Sequence, residues 1–433
     1  MKKIPPFNKI PEVVDYSLPG DGAKATISYP KKLAEEKVLV PVNSRYFYLE
    51  SRQKKSALIE PNCFLLADNF LGLNSLYVSG QKAKLIYLDP PYSTGSNFIS
   101  RDLNQAYVDK VSDARYIESV RRRLILMREI LDDEGSIYIH IGEEMLAHLK
   151  VVMDEVFGEK NFRNLITRRK CSSKNFTKNQ YSNLNDYILF YSKTKNYIWN
   201  QPVTEPDDEW KAKEYPKSDE RGQYKLVPVH APGIRKGLTG TEWKGMMPPK
   251  GKHWQYQPDK LEALDKCGHI HWSKNGNPRR KVYLDDHKGI AMTDYWDQYR
   301  DAFHQSTFIT GYPTEKNLEM LKMIISASSN IGDLVIDPYS GSGTTIYAAN
   351  LLDRKWIGMD QSLLAAKTII KRFKSGMSQM GDYVKKTTEK DLFPETKNFL
   401  KEKVAEYRVV VEESFLLEEK DSLDELSKEL LGW

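Results

Sequence analysis

The sequence predicts an α/β protein: a doubly wound, mostly parallel sheet that carries an inserted loop-rich module and ends in a helical tail. Two short apolar runs, residues 85–88 and 334–336, each stop at an aspartate, as strands buried on both faces of a parallel sheet commonly do. A strongly periodic helix at about 116–133 follows the first run, and the strand–helix order repeats over residues 136–156. Strands that alternate with helices form parallel sheets, so both aspartates are expected at the carboxyl edge of one sheet.

The composition permits a nucleic-acid partner without requiring one. The 433 residues include 65 Lys and Arg against 59 Asp and Glu, which gives a net charge of +6. Cys63, Cys171 and Cys267 lie far apart, a spacing that favours free thiols in a reducing compartment. The first residues are polar and proline-rich, and no apolar run reaches the length of a membrane span. The sequence therefore predicts a soluble cytoplasmic protein, associated with the nucleoid and not with a membrane.

Residues 89–92, Asp-Pro-Pro-Tyr, are the strongest catalytic candidates. Pro90 and Pro91 have no backbone N–H, so the strand ends here and presents Asp89 and Tyr92 at the sheet edge. An Asp89 carboxylate oxygen and the Pro90 carbonyl can accept both N–H bonds of an exocyclic amino group on a nucleobase, while the Tyr92 ring stacks on the base. Taken alone, the four residues are equally well explained as a strand-ending turn.

A second motif favours the catalytic interpretation. Residues 337–343, Asp-Pro-Tyr-Ser-Gly-Ser-Gly, lie between a predicted strand and an apolar helix, and the next strand ends at Asp360. Gly341 and Gly343 let the backbone approach a ligand, and Asp360 can accept hydrogen bonds from two ribose hydroxyls. Ile346 occupies the third glycine position of the dinucleotide fingerprint, which disfavours a pyrophosphate. Acids at the strand ends suit a cationic nucleoside without phosphate, and S-adenosylmethionine is such a ligand.

Two further residues are candidates because they stand where helices begin. Asp68 ends an apolar run, and it either contacts an adenosine edge or caps the following helix. Thr314 is the predicted N-cap of a helix that places Leu318, Leu321 and Ile325 on one face.

The middle of the chain is basic and aromatic, which suits a surface that follows a nucleic-acid strand. Residues 161–200 interleave Arg and Lys with tyrosines, and residues 201–305 are rich in Trp, Tyr, Pro, Gly and Lys without regular periodicity. Cys267, His269 and His271 have metal-binding side chains, but no second ligand pair stands at a zinc-like spacing. No metal site is predicted.

These patterns divide the chain into five predicted segments. They are an N-terminal arm with peripheral elements (1–60), a first half of the sheet domain (61–200), a loop-rich module (201–305), a second half of the sheet domain (306–378) and a helical tail (379–433). In the tail, Leu423, Leu426 and Leu430 share one side of a helix. This helix can dock on its own core, on a second copy of the chain or on a separate subunit, and a surface helix is the simplest interpretation.

The motifs together resemble those of the permuted β group of amino-methylating DNA methyltransferases, over roughly residues 60–370. The run DPPYSTGSNF is similar to the group's DPPYNTG pattern, with Ser93 in place of Asn. VIDPYSGSGTT is similar to its DPFxGSGTT cofactor loop, with Tyr339 in place of Phe, and YPTEKNLEMLKMII is similar to its HPTQKP-type helix entry, with Tyr312 in place of His and Asn317 in place of Pro. Residues 113–162 especially resemble modification subunits of type III restriction systems.

The resemblance implies a role for each candidate. It assigns catalysis to Asp89, Pro90, Pro91 and Tyr92. It assigns cofactor binding to Asp89 as well and to a larger set: Asp68 at the adenine edge, Thr314 and Lys316 at the methionine end, Asp337, Tyr339, Gly341 and Gly343 around the methionine and ribose, and Asp360 on the ribose. Lys316 is also compatible with a plain solvated position on a helix.

By resemblance, the expected activity is transfer of a methyl group from S-adenosylmethionine to the adenine amino nitrogen of duplex DNA, after the base flips out of the helix. The 201–305 module is then the target-recognition module. Cytosine N4 methylation on the same fold is the nearest alternative, followed by RNA methylation and by a non-catalytic DNA-binding regulator. A nicotinamide oxidoreductase is disfavoured by the missing glycine. A homodimer and a restriction subunit are expected as optional partners.

Overall fold

The fold is described from a computed structural model in which two compact units are distinguished. The description covers residues 23, 25–49, 59–91, 97–99, 105–108, 113–171, 179, 181–301, 308–309, 312, 315–375, 378–379 and 406–431. The larger unit comprises Met1–Asn200 and Thr293–Trp433, and the smaller unit comprises Gln201–Met292.

Strands and helices are numbered along the chain. The strands are β1 (Tyr46–Tyr48), β2 (Cys63–Leu66), β3 (Ala83–Leu88), β4 (Asn97–Ile99), β5 (Gln105–Val108), β6 (Leu131–Ile141), β7 (Phe162–Arg169), β8 (Asn185–Ser192), β9 (Val203–Thr204), β10 (Lys217–Asp219), β11 (Gly222–Pro228), β12 (His230–Pro232), β13 (Lys252–Trp254), β14 (Ile270–Trp272), β15 (Pro278–Tyr283), β16 (Ile290–Ala291), β17 (Tyr295–Trp296), β18 (Phe308–Ile309), β19 (Leu334–Asp337), β20 (Lys355–Asp360), β21 (Ser378–Gln379) and β22 (Arg408–Glu412). The helices are α1 (Glu35–Val38), α2 (Asn69–Val78), α3 (Asp113–Ile130), α4 (Glu143–Phe157), α5 (Asp208–Glu214), α6 (Pro258–Lys266), α7 (Leu318–Ser328), α8 (Thr344–Leu351), α9 (Leu363–Ser375), α10 (Glu413–Glu418) and α11 (Lys420–Leu431).

One large sheet organises the larger unit. Its strands lie in the order β1–β22–β2–β20–β19–β3–β6–β8–β7–β17. Every neighbouring pair from β22 to β6 is parallel, whereas β1 and β8 pair antiparallel with their neighbours. The predicted doubly wound, mostly parallel sheet is therefore confirmed.

Both faces of the central strands are covered, which explains why the strand sequences are continuously apolar. Successive residues of β3 point to opposite faces, yet all of residues 85–88 are buried. The helices α2, α3 and α4 pack as one group, and α7 packs on α8. Among the described residues, no helix combines the length and the hydropathy needed to cross a membrane.

Several predicted boundaries differ from the structure. The periodic helix predicted at 116–133 is Asp113–Ile130, and β6 begins at the next residue. The segment predicted as a loop, 93–110, contains the antiparallel pair β4 and β5. Asn317, not Thr314, caps helix α7, since its side chain accepts a hydrogen bond from the Met320 N–H. Thr314 itself lies outside the described residues, as does Tyr92.

The C-terminal segment is not purely helical. Residues 408–412 form β22, which lies between β1 and β2 in the large sheet. Helix α11 then packs on α9 through the buried side chains of Leu423 and Leu426, and Lys367 pairs with Glu425 at 2.9 Å. Of the docking sites considered from the sequence, this helix therefore uses the protein's own core.

The smaller unit has a separate core of its own. It contains the antiparallel sheet β10–β11–β15–β14 and the pairs β12–β13 and β9–β16. Its buried centre is formed by Val229, Trp243, Trp254, Leu261 and Ile270. It is narrower than the predicted 201–305 module, because residues 293–301 belong to the larger unit, where β17 pairs with β7.

Candidate active site at the carboxyl edge of the sheet

Four aspartates stand at the carboxyl ends of adjacent parallel strands. Asp68 follows β2, Asp360 ends β20, Asp337 ends β19 and Asp89 follows β3. Strands β19 and β3 pair in register through Val335 with Leu85 and Ile336 with Ile86. The fold thus brings the Asp-Pro-Pro tip and the glycine-containing turn, which are distant in sequence, side by side at one sheet edge.

The turn after β19 requires glycine at two positions. Gly341 and Gly343 have φ angles of +48° and +74°, in the left-handed region that favours glycine. A Cβ on Gly343 would lie 2.6 Å from the Ile369 side chain, and a Cβ on Gly341 would lie 3.3 Å from the Tyr312 ring. The backbone of this turn therefore packs directly against Ile369 and Tyr312. At these two positions it presents peptide groups, and no side chains, at the sheet edge.

Asp360 holds the turn in place from the next strand. One of its carboxylate oxygens accepts a hydrogen bond from the Gly341 N–H at 2.9 Å, and the other accepts one from the Ser362 N–H at 2.8 Å. Burial raises the pKa of Asp360 above its usual value, although these backbone donors oppose the rise. The Gln361 N–H is a further backbone donor to this carboxylate, and a carboxylate with about four acceptor sites keeps capacity for a ribose hydroxyl.

Asp337 is the most perturbed carboxyl group of the cluster. It is buried, and burial raises its pKa to about 7, outweighing the hydrogen bonds from Thr345 and the Tyr339 N–H, with smaller upward contributions from Asp89 and Asp360. A buried carboxyl group beside two further carboxyl groups favours a cationic ligand over an anionic one. The site therefore fits the ammonium and sulfonium groups of S-adenosylmethionine better than it fits a phosphate.

Lys316 is placed differently from the expectation that it borders the methionine end of the cofactor. Its ammonium lies 2.8 Å from Asp89 Oδ2, and the two side chains are only 11% and 19% exposed. The solvated helix position that the sequence also allowed is therefore wrong. The geometry makes Lys316 a direct partner of the candidate catalytic carboxylate.

Asp68 is both a helix cap and an ion-pair partner. It accepts a hydrogen bond from the Phe70 N–H at 2.7 Å, and Arg123 donates to both of its oxygens at 3.0 Å. Asn69 then reaches the glycine-containing turn, donating to the Pro338 carbonyl at 2.6 Å. These contacts join α2 and α3 to the cofactor turn, and a contact of Asp68 with adenine stays a prediction.

The sequence interpretation missed a buried arginine that links two parts of the site. Arg372 is fully buried on α9, donates to the Thr344 hydroxyl at 2.7 Å and pairs with Glu315. Thr344 follows the glycine-containing turn, and Glu315 precedes Lys316. A signal was present, because a charged residue interrupts the apolar face formed by Ile369 and Phe373.

A buried polar chain lies beneath the Asp89 tip and was also missed. The Tyr87 hydroxyl lies 2.7 Å from His140 Nδ1, His140 Nε2 lies 2.9 Å from Asp186, and Arg168 donates to Asp186 at 2.6 Å. Arg168 also pairs with Asp301 at 2.6 Å. Burial alone would raise the pKa of Asp186, but His140 and Arg168 outweigh it and hold that pKa well below its usual range. The chain ties β3 to β6, β8 and β7 immediately below the site.

The described residues contain no group of three His, Cys, Asp or Glu side chains arranged to hold a metal ion. Cys267 is exposed, and His269 Nε2 contacts the Arg221 guanidinium. The local pattern Cys-x-His-x-His therefore has a structural explanation within the smaller unit.

A parallel sheet with a glycine-containing turn and carboxylates at adjacent strand ends defines a nucleoside-binding α/β protein. A family model described as DNA methylase (N6_N4_Mtase) matches residues 83–372, and the chain belongs to this family. The match spans both the Asp-Pro-Pro tip and the glycine-containing turn.

Curated relatives agree with this assignment. The Type II methyltransferase M.EcaI of Enterobacter cloacae is 62% identical over 375 residues, which cover 86% of this chain and 83% of the relative. The Type II methyltransferase M.KpnI of Klebsiella pneumoniae is 27% identical, over 73% of this chain and 84% of the relative. The StyLTI Mod subunit of a type III restriction-modification enzyme of Salmonella typhimurium is 29% identical, over 76% of this chain and 55% of the relative. The protein is a DNA methyltransferase of the restriction-modification type.

Proposed function

We propose that the protein transfers a methyl group from S-adenosylmethionine to the N6 amino group of adenine in duplex DNA. The observation that carries the proposal is the pairing of β3 with β19, which places the Asp89 tip next to the turn that starts at Asp337. A methyl donor held at the turn after β19 and a base amino group held at the Asp89 tip are then neighbours at the same sheet edge.

Residues of the turn are suited to hold the cofactor. Asp337 and the turn backbone face its methionine portion, and Asp360 accepts from the ribose, while Tyr339 and Asp68 stay as predicted contacts. The bound cofactor supplies an electrophilic methyl group on a cationic sulfur. The carboxylates stabilise that positive charge in a buried setting, where electrostatic interactions are stronger than in water.

Residues of the Asp89 tip are suited to hold the target base. An adenine inside a duplex is inaccessible, so the base must leave the stack before its amino group can reach the tip. Asp89 and the Pro90 carbonyl then accept the two amino N–H bonds, and this draws the nitrogen lone pair toward the electrophile. Tyr92, by resemblance, stacks on the base. Rate acceleration comes mainly from positioning and polarisation, and no covalent enzyme intermediate is needed.

The same relatives support a role in a restriction-modification system. Two carry the name Type II methyltransferase and a third the name of a type III Mod subunit. We infer that methylation by this protein protects host DNA from a nuclease of matching specificity. Association with a restriction subunit, and dimer formation, stay predictions.

The decisive experiment is mass spectrometry of nucleosides from bacterial cells that express the protein. We expect N6-methyladenine in DNA above the level of empty-vector cells, no gain of N4-methylcytosine, and no added methyl groups in RNA. Asp89→Ala abolishes the signal, and Asp133→Ala, an exposed aspartate of the same unit, leaves it unchanged.

Other outcomes separate the alternatives. N4-methylcytosine would identify the cytosine enzyme, which the family model also includes. Methylated RNA without methylated DNA would show that the substrate is RNA and not DNA. Full activity of Asp89→Ala would show that another residue carries the catalysis.

A further inference from the structure

We propose that an exposed tip of the smaller unit, residues 233–238 and 247–252, inserts apolar side chains into a groove of the substrate DNA. This inference rests on the proposed function, since it takes DNA as the partner. These two segments together are called the 233–252 tip.

Three large apolar side chains of the tip are strongly exposed. Ile234 is 82% exposed, Met247 is 62% exposed and Leu238 is 59% exposed. They fall within one short stretch of the chain, whereas scattered single apolar residues are the norm on protein surfaces. A concentrated exposed apolar group marks a surface that is covered in use.

The base of the tip is held firmly by the core of the unit. Strands β12 and β13 pair directly below it, and the Gly233 N–H continues the ladder by donating to the Gly251 carbonyl at 2.9 Å. The Trp254 indole donates to the Thr241 carbonyl at 2.8 Å, and Trp254 packs edge-on against Trp243. The apolar side chains therefore project from a rigid base, which reduces the ordering cost of binding.

The charge of the tip identifies the class of partner. Its two segments contain four basic residues, Arg235, Lys236, Lys250 and Lys252, and no acidic residue. All four are exposed, and none forms an ion pair with another residue that the structure describes. Elsewhere in the same unit, six basic side chains pair with carboxylates and others, such as Lys213 and Lys217, have no ion pair with a described residue; the paired ones are Lys211, Arg221, Lys225, Lys244, Lys266 and Lys281.

A cluster of unpaired cations around apolar side chains matches DNA. The cations bind phosphates and release counterions, while Ile, Leu or Met side chains enter a groove and partly unstack base steps. Unstacking near the target lowers the cost of taking a base out of the helix. We therefore assign the tip to DNA contact, with Ile234 as its most exposed apolar residue.

The test first maps the methylated site by sequencing that detects modified bases in the expressing cells, and then measures binding of the protein to a labelled duplex of about 30 base pairs that carries this site. Ile234→Ser should weaken binding about tenfold, because burial of a large aliphatic side chain contributes on this scale. Its matched control is Ile331→Ser, because Ile331 is 76% exposed but lies in the larger unit. Both variants should keep the wild-type melting temperature and S-adenosylmethionine affinity.

The basic residues are tested by salt dependence. Lys236→Gln combined with Lys250→Gln should reduce the slope of log affinity against log salt by about one for each charge. Lys213→Gln, an exposed lysine of α5, serves as the control. A 2-aminopurine reporter in the duplex should brighten with wild-type protein and stay dim with Ile234→Ser.

Each contrary outcome is informative. If the wild type methylates DNA and Ile234→Ser binds and methylates equally well, the tip is not a DNA contact and only this inference fails. If the tip variants instead lose binding to anionic lipid vesicles, the surface belongs to a membrane. Failure of the wild type to methylate DNA would overturn the proposed function itself.

Discussion

The contact between Lys316 and Asp89 shows how one cation organises the acidic edge of the sheet. The ammonium is an ion-pair partner of Asp89, and Asp89 in turn lies close enough to Asp337 to contribute to the raised pKa of Asp337. Glu315, the preceding residue, is held by the buried Arg372. The Glu315–Arg372 pair therefore fixes the backbone next to Lys316, and Lys316 orients the Asp89 carboxylate.

Replacing Lys316 by methionine separates orientation of Asp89 from binding of the cofactor. We expect kcat for DNA methylation to fall about tenfold or more, since small misplacement of a reacting group has effects of this size. The S-adenosylmethionine dissociation constant should stay unchanged, and Lys316→Arg should recover part of kcat. Lys322→Met, on helix α7 that follows Lys316, is the control. A weaker cofactor affinity with normal kcat would instead support the methionine-end role expected from the resemblance.

Asp337 predicts a pH-dependent stability. The unfolded carboxyl group ionises near pH 4, whereas burial raises the pKa in the folded protein to about 7. The unfolded state therefore holds fewer protons between these pH values, and stability falls as the pH rises from about 4 to about 7. Asp337→Asn should melt at a higher temperature than the wild type at pH 8, and the difference should vanish near pH 4.

The same variant tests cofactor binding. At pH 8 the asparagine cannot supply the negative charge proposed to hold the cofactor, so calorimetry should show weaker S-adenosylmethionine binding. A melting-temperature difference that is equal at both pH values would contradict the assigned cause.

For individual residues, the sequence predicts where a side chain lies along a strand or helix better than it predicts which other side chain it contacts. Asp89, Asp337 and Asp360 were placed at strand ends because an abrupt change from apolar residues to acid and proline or glycine is a local pattern. The Lys316–Asp89 and Arg123–Asp68 pairs join segments that are distant along the chain. No local pattern encodes such pairs, because they depend on how the helices pack.

Helices and strands were predicted well where the periodicity was long, and poorly near the C-terminal segment. Residues 408–412, Arg-Val-Val-Val-Glu, carry the β-branched residues that favour a strand, but the acidic and basic stretches around them indicated a helix. Burial between β1 and β2 makes this run a strand. The tail is consequently part of the sheet domain.

Helix α11 should contribute measurably to stability through its buried side. Leu426 is fully buried against the larger unit, so Leu426→Ala should lower the free energy of unfolding by about 2–5 kcal/mol. Leu431 lies on the same helix but is 51% exposed, and Leu431→Ala should change it little. Denaturant titration of both variants provides the measurement. Equal effects would mean that α11 does not dock on α9 in solution.

At the scale of the whole molecule, the two units have separate cores. The larger core draws on α2, α3, α4 and the central strands, and the smaller core on Trp243, Trp254 and their neighbours. The proposed cofactor and catalytic residues belong to the larger unit, and the 233–252 tip belongs to the smaller one. We expect chemistry and DNA contact to be separable.

Replacing residues 201–292 by a flexible Gly/Ser linker tests this separation. The shortened protein should unfold cooperatively and bind S-adenosylmethionine like the wild type, because its core is intact. It should not methylate DNA. Loss of cofactor binding, or a non-cooperative transition, would contradict the independence of the larger unit. Calorimetry and a labelled-methyl assay supply both readouts.

The position of β22 has a consequence for biosynthesis. Within the described part of the chain, strand β1 joins the sheet only through β22, so residues 46–48 cannot take their place until residues 408–412 have left the ribosome. The parallel strands that carry the aspartates can assemble earlier, but the sheet edge formed by β22 and β1 stays incomplete during translation. A nascent polypeptide stalled before residue 408 should therefore be more easily cleaved by protease near residues 46–48 than the released protein.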